Sequence, residues 1–305
     1  MQKVIITGAD SGLGMETARC LLKDDYYVIM ACRDLDKAGK ARDMLIKDTG
    51  SSNVVVQKLD LRSLASVRAF VASIDADIYG LICNAGVQNS KQLLFTEDNI
   101  EQTFGVNYLA HFLLVNLMLK KSGNLKRIAM VTSSLHDPAI GGPQPPRFES
   151  VELMAHPPDI SEKGKPGFRR YATSKLCMVF FTYRLAELLK ANYRTDVLVN
   201  AFNPGLMAGT ALGRNSTFFT GLVWYYLLPV LARTVIKGAS TPERSAEYLS
   251  RMVTDIDVTG KYFDIDKERR SSTESYDMVK AMSLWDESEQ ICGMTTGEKW
   301  YQKTA

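Results

Sequence analysis

A glycine-rich turn set directly behind the first apolar run limits this chain to few folds. Val4–Ile6 is a strand-length apolar run, Gly8-Ala9-Asp10-Ser11-Gly12-Leu13-Gly14 follows, and Gly12 to Lys23 has helical spacing. Strand, glycine turn and helix together form the opening unit of a nucleotide-binding α/β sheet. Glycines let the backbone approach a pyrophosphate, and the helix N-terminus offers N–H donors and a positive dipole end. The spacing is GxxxGxG rather than GxGxxG. An ordinary glycine turn needs no ligand, so the rest of the chain has to decide.

The alternation continues. Tyr27–Ala31, Val54–Leu59, Ile78–Cys83, Ile128–Thr132 and Val197–Phe202 read as strands, with Val258–Phe263 a seventh. Lys37–Lys47, Ser63 to Ile74, Glu97 to Lys121 and Tyr171–Lys190 read as helices, the third of them long. This rhythm predicts an α/β fold: a Rossmann-type, doubly wound parallel sheet of about seven strands in a single domain over 1–305. Two segments interrupt it. Residues 137–167 hold seven of the ten prolines and read as an insertion. Residues 206–236 carry the apolar stretch Phe218–Leu231 and read as a substrate lid, with core or dimer packing and membrane docking as the other readings. Residues 266–305 form a C-terminal extension.

Composition narrows the partners. Thirty-seven Lys and Arg against 34 Asp and Glu give a net charge of +3, with no basic block, so nucleic acid is not expected. Five cysteines without CxxC spacing and only three histidines offer no metal site. The unpaired cysteine pattern and the absence of a signal-like start in MQKVIITG lead to the expectation of a cytoplasmic protein. Cys32, Cys83 and Cys177 read as buried small hydrophobes and His111 as a core histidine. His136 and His156 read as solvated loop residues or substrate contacts.

Candidate cofactor residues collect at strand ends. Besides Gly8, Asp10, Ser11, Gly12, Leu13 and Gly14, they are Asp60-Leu61 after the third strand and Asn84-Ala85-Gly86 after the fourth. The Asp60 carboxylate can accept from an adenine amino group. Arg33 ends the second strand, where a cation pairs with the 2′-phosphate of NADP; Asp34 beside it is the residue that would instead favour NAD. Tyr171 and Lys175, four apart, share a helix face. An ammonium there is expected to lower the phenol pKa and make Tyr171 a proton donor or acceptor. Ser134 closes the fifth strand and can bond the reacting oxygen, and the Asn107 side chain can hold a water behind Lys175.

With these motifs in this order, residues 3–265 resemble the short-chain dehydrogenase/reductase family. The resemblance implies the catalytic set Asn107, Ser134, Tyr171 and Lys175, with Ser133 as the alternative serine and Lys175 also holding ribose hydroxyls. It also implies nicotinamide contacts from Pro204, Gly205 and Thr210. Ala31-Cys-Arg-Asp34, the insertion before Tyr171 and the helix Ala281–Glu289 look closest to the light-dependent protochlorophyllide reductase and retinol dehydrogenase group. The pigment reductases carry a cysteine after the Pro-Gly, and here that position is Leu206. The expected activity is NADP-dependent hydride transfer at a carbonyl or alcohol of a bulky apolar small molecule. Reduction of a conjugated C=C bond and a non-catalytic nucleotide sensor are the alternatives. A homo-oligomer and a membrane surface are both open.

Overall fold

The computed structural model describes residues 1–75, 77–89, 92–140, 144–158, 166–207 and 240–302. The strands are β1 (Lys3–Thr7), β2 (Tyr27–Cys32), β3 (Val54–Lys58), β4 (Gly80–Cys83), β5 (Arg127–Val131), β6 (Leu198–Asn203), β7 (Lys261–Asp264) and β8 (Lys267–Arg269). They form one sheet in the order β3-β2-β1-β4-β5-β6-β7-β8. The first seven are parallel, as the sequence predicts. The eighth, not foreseen, pairs antiparallel with β7. It is short, and Lys267, Glu268 and Arg269 are all exposed, so the sheet edge it forms is charged. The β7–β8 turn passes through Ile265 at φ 56°, where a β-branched residue is strained; the Ile265 N–H donates to the Asn203 carbonyl.

Helices cover both faces. The elements α1 (Gly12–Lys23), α2 (Leu35–Thr49), α3 (Leu64–Ser73), α4 (Gln102–Phe104) and α5 (Ala110–Lys121) precede β5 or lead into it. Then come α6 (Val151–Ala155), α7 (Pro166–Ala191), α8 (Pro242–Thr254) and α9 (Met278–Ile291). Strand periodicity sorts the core. In β1, Val4 and Ile6 point to the side of α1, α2 and α8, while Ile5 points to the side of α3, α5 and α7. Both faces are apolar because both are covered. The helix α8 escaped the sequence reading, although Thr241 caps it, Pro242 starts it, and Ala246, Leu249 and Val253 mark its buried stripe.

The long helix expected from Glu97 begins only at Gln102. Residues 95–101 instead make a turn, bridged between Phe95 and Glu101, with Asn99 at φ 58°. Glu101 caps α4, and a five-residue π-turn, Gly105–Leu109, joins α4 to α5. Such turns are rare and shift the helical register, which re-aims the side chains they carry.

The described part of the insertion lies pinned along α7 and α9. Arg147 N–H donates to Thr173 Oγ1 at 2.9 Å, Val151 N–H donates to Glu287 Oε2 at 2.8 Å, and Phe148 packs edge-on to Phe180. The C-terminal extension buries Trp285 flat against Phe181, with ring centroids 5.3 Å apart, and edge-on to Phe112. The lid segment lies outside the described residues from 208 to 239, as does Thr210. Among the described residues no helix is long and apolar enough to cross a membrane.

Candidate active site

The strand order reverses between β1 and β4, and open α/β sheets bind ligands at the carboxyl edge of that crevice. The glycine turn follows β1 and Asn84-Ala85-Gly86 follows β4, so both motifs reach the same edge. Gly8 has φ 66° and Gly12 φ 55°, backbone that side-chain-bearing residues seldom adopt. A Cβ on Gly14 would lie 2.5 Å from the Gly8 carbonyl oxygen and 2.6 Å from Asn84 Nδ2. That glycine is required by the packing of the turn against the Asn84 loop. Ser11 precedes α1 without a side-chain cap, so the first-turn N–H groups keep their capacity for an anion.

Thr7 and Asn84 join the two motifs. Thr7 Oγ1 accepts from the N–H groups of Asn84 and Ala85, each at 2.9 Å. Asn84 Nδ2 donates to the carbonyls of Thr7 and Gly8. The Thr7 hydroxyl also meets His111 Nε2 at 2.9 Å, and His111 Nδ1 meets the Asn107 carbonyl at 3.0 Å. With two N–H groups already donating to its oxygen, Thr7 gives its hydrogen to Nε2, and Nδ1 carries the imidazole proton. Burial holds His111 down to about 4, so this imidazole is neutral. As expected, His111 is a core histidine, and Cys32, Cys83 and Cys177 are buried.

At the end of β2, Arg33 is exposed, while the Asp34 carboxylate accepts from the Lys37 N–H and caps α2. One oxygen of this acid thus serves the end of a helix. Lys37, a residue the sequence reading missed, reaches back from α2 to Asp10 Oδ2 at 2.5 Å and Ser11 Oγ at 3.2 Å. Its signal was its place four residues after Arg33. Asp60 has both oxygens on Arg62. Burial raises its pKa, but the Arg62 side chain and N–H outweigh that and leave it below the ordinary carboxylate value. The carboxylate is therefore already paired where an adenine contact was expected. Leu61 is buried beside it.

The acid–base set lies at the ends of β4 and β5 and on α7. Tyr171 and Lys175 are both buried, with Lys175 Nζ 5.6 Å from the Tyr171 ring centroid. Lys175 Nζ donates to the Val131 carbonyl at 2.9 Å rather than to the phenol. The expected lowering of the phenol pKa is therefore overturned. Burial pushes Tyr171 up to about 12, against the pull of the Ser133 hydroxyl, and brings Lys175 down to about 8.

Ser133 Oγ accepts from the Leu135 N–H at 3.3 Å and caps the turn that follows β5, and its hydroxyl bears on the Tyr171 phenol. The chain enters a 3₁₀ turn at Ser134, whose N–H donates to Asn203 Oδ1 on β6 at 3.0 Å.

Asn107 sits in the π-turn, and its side chain is engaged by protein groups. Oδ1 accepts from the Val87 N–H at 2.7 Å, and Nδ2 donates to the Val87 carbonyl and to Ser174 Oγ, each at 3.0 Å. Ser174, also missed, donates to the Tyr171 carbonyl at 2.7 Å. Asn107 therefore ties the loop after β4 to the helix that carries Tyr171 and Lys175. A Cβ on Gly86 would lie 3.3 Å from Asn107 Oδ1 and 3.6 Å from Lys175 Nζ, so a side chain there would crowd the centre of the set. Beyond β6, the Pro204 carbonyl accepts from Ser245 Oγ at 2.6 Å and Gly205 turns at φ 76°.

His136 is neither solvated nor open to substrate: it is buried, with both ring nitrogens engaged. His156 pairs with Glu152 on α6.

Comparison with known proteins follows this geometry. The profile of the short chain dehydrogenase family matches residues 2–139. Retinol dehydrogenase 13 of Mus musculus is 33% identical over 296 residues, covering 95% of this chain and 84% of that protein. Protochlorophyllide reductase A of Oryza sativa subsp. japonica is 32% identical over 319 residues, covering 95% and 80%. Among solved structures, a protein of Mycobacterium paratuberculosis superposes with TM-score 0.70 at 27% identity, covering 96% of this chain and 94% of that one.

Proposed function

This chain belongs to the short-chain dehydrogenase family, and from that premise we propose that it is an NADPH-dependent reductase of a carbonyl on a bulky apolar small molecule. The observation that carries the reading is Lys175 Nζ lying both beside the Tyr171 ring and against Gly86, in the loop that the glycine turn also reaches.

The residues suit a dinucleotide. An uncapped helix start, two glycines at positive φ and a third that excludes any Cβ suit a pyrophosphate. Arg33 and Lys37 supply cations for a 2′-phosphate, with Asp34 turned to its cap. Ser11, Leu13, Asn84, Ala85, Pro204 and Gly205 line the same edge, and Lys175 offers an ammonium to ribose hydroxyls. When bound, the nicotinamide supplies or accepts the hydride.

The chain's own part is a proton and its placement. The Tyr171 phenol, protonated at neutral pH, gives its proton to the oxygen of the reduced carbonyl. The Ser133 hydroxyl donates to that same oxygen as charge builds on it. Lys175 places positive charge beside the phenol, and Asn107 keeps Gly86 and α7 in register through Val87 and Ser174. The relatives named for retinol and for protochlorophyllide support a bulky, largely apolar substrate. Leu206, standing where the pigment reductases carry cysteine, favours carbonyl over C=C reduction.

The test is oxidation of NADPH and of NADH with a panel of aldehydes, ketones and one enone, with product analysis. An alcohol formed from NADPH is the expected result. A saturated ketone from the enone would move the reading to C=C reduction, and no turnover with any carbonyl would revive the nucleotide sensor.

A further inference from the structure

His136 is 1% exposed and stands between two backbone groups. Its Nδ1 lies 2.7 Å from the Ser133 carbonyl oxygen, and its Nε2 lies 3.1 Å from the Ser272 nitrogen. A carbonyl only accepts and a backbone N–H only donates, so Nδ1 carries the proton and Nε2 is the acceptor. Neither partner can change its role, and one neutral tautomer satisfies both.

Ser272 belongs to the C-terminal extension, 136 residues away in sequence. It is held in turn by Ser275 Oγ, which donates to its carbonyl at 2.6 Å; Ser275 Oγ meets Ser271 Oγ at 2.6 Å, and Ser271 Oγ meets Tyr183 OH at 2.6 Å. Tyr183 is on α7, the helix that also carries Tyr171. The links therefore run from Ser133 through His136, Ser272, Ser275 and Ser271 to Tyr183 and that helix.

We propose that His136 is a positioning residue that makes the C-terminal extension part of the catalytic apparatus, holding the Ser133-Ser134 turn after β5 to α7 through this run of hydrogen bonds. The inference rests on the reading of Ser133 and Tyr171 as the pair that meets the reacting oxygen.

The groups around the imidazole are consistent with a neutral brace. Tyr262 on β7 packs against it, ring centroids 4.9 Å apart. Asp137 on its own turn and Asp264 on β7 favour the proton, yet burial outweighs them and holds the pKa below the ordinary histidine value. Asp264 Oδ1 is also taken by Asn203 Nδ2 at 2.7 Å.

The decisive variant is Ser272→Pro. Ser272 has φ −57°, which a proline ring accepts, and its hydroxyl has no hydrogen-bond partner among the described residues; proline removes the N–H that holds Nε2 and sets its ring Cδ in that place, so the imidazole loses its donor and is pushed away from the extension. His136→Phe removes the brace, and His136→Gln restores one donor and one acceptor. With only three histidines in the chain, ¹⁵N NMR resolves the imidazoles one by one.

In the wild type, His136 should show the Nδ1–H tautomer and titrate below the ordinary histidine value. In Ser272→Pro its pKa should rise. Both Ser272→Pro and His136→Phe should bind NADPH within about twofold of wild type but lose on the order of 10–100-fold in kcat, with partial recovery in His136→Gln. Folded, NADPH-binding variants with near wild-type kcat would overturn the proposal, as would an Nε2–H tautomer. Should the wild type itself reduce no carbonyl, the reading of the reaction falls instead. The brace is then judged on the tautomer and on the rise in Ser272→Pro, whose absence would overturn it.

Discussion

The two sides of the sheet's carboxyl edge use the same device with different anchors. On the cofactor side, His111 joins Thr7 at the end of β1 to the carbonyl of Asn107. On the far side, His136 joins the C-terminal extension to the carbonyl of Ser133. Each is a buried, neutral imidazole that donates from Nδ1 and accepts at Nε2. His111 accepts from the Thr7 hydroxyl, which can rotate; His136 accepts from a backbone N–H, which cannot. The cofactor side is assembled from contiguous motifs, 8–14 and 84–86, each complete in itself. The far side is assembled from single residues brought together by packing. Losses on the far side should therefore act through distant residues, and losses on the cofactor side through local ones.

The largest effect expected is on stability. Trp285→Ala empties the space between Phe181, Phe112 and Tyr301 and should cost about 3–5 kcal/mol, read by urea unfolding. NADPH affinity, measured well below the melting temperature, should hold. An equal loss of cofactor affinity would erase the distinction between the two sides.

Acid should probe the cofactor side. His111 is near 4 when folded and near 6.5 when unfolded. Above pH 6.5 neither state holds the proton and stability is complete. From pH 6.5 down to 4 the unfolded chain takes up a proton that the native state refuses, so stability falls, by on the order of 3 kcal/mol in all. His136 has the same sign. Unfolding curves from pH 7 to pH 4 should lose part of their slope in His111→Gln; an unchanged slope would mean that the acid sensitivity lies elsewhere.

Tyr171→Phe should leave NADPH binding in place and lower turnover by at least ~10²-fold, the scale of general acid catalysis. Fluorescence titration beside steady-state rates separates the two, and near-normal turnover would assign the proton to another group. The smallest effect concerns cofactor choice: Arg33→Asp should weaken NADPH by about 1.5–3 kcal/mol and spare NADH, read from the two KM values. An unchanged preference would leave Lys37 as the cation that matters.

Short-range signals carried the sequence reading far. Apolar runs of Val and Ile, helical spacing and the three glycines located the parallel strands, most helices and the cofactor turn, because strand period, helix period and positive φ are properties of a few consecutive residues. Tyr171 and Lys175 were legible for the same reason, being one helical turn apart. What the tertiary structure alone decided are partners. It bent the chain after β5 into a 3₁₀ turn whose Ser134 N–H donates to Asn203. It turned Lys175 to Val131, engaged the Asn107 side chain with Val87 and Ser174, and gave His136 to Ser272. A hydrogen bond needs a donor and an acceptor within about 3 Å, and between residues far apart in sequence only the packing of the folded chain brings them there.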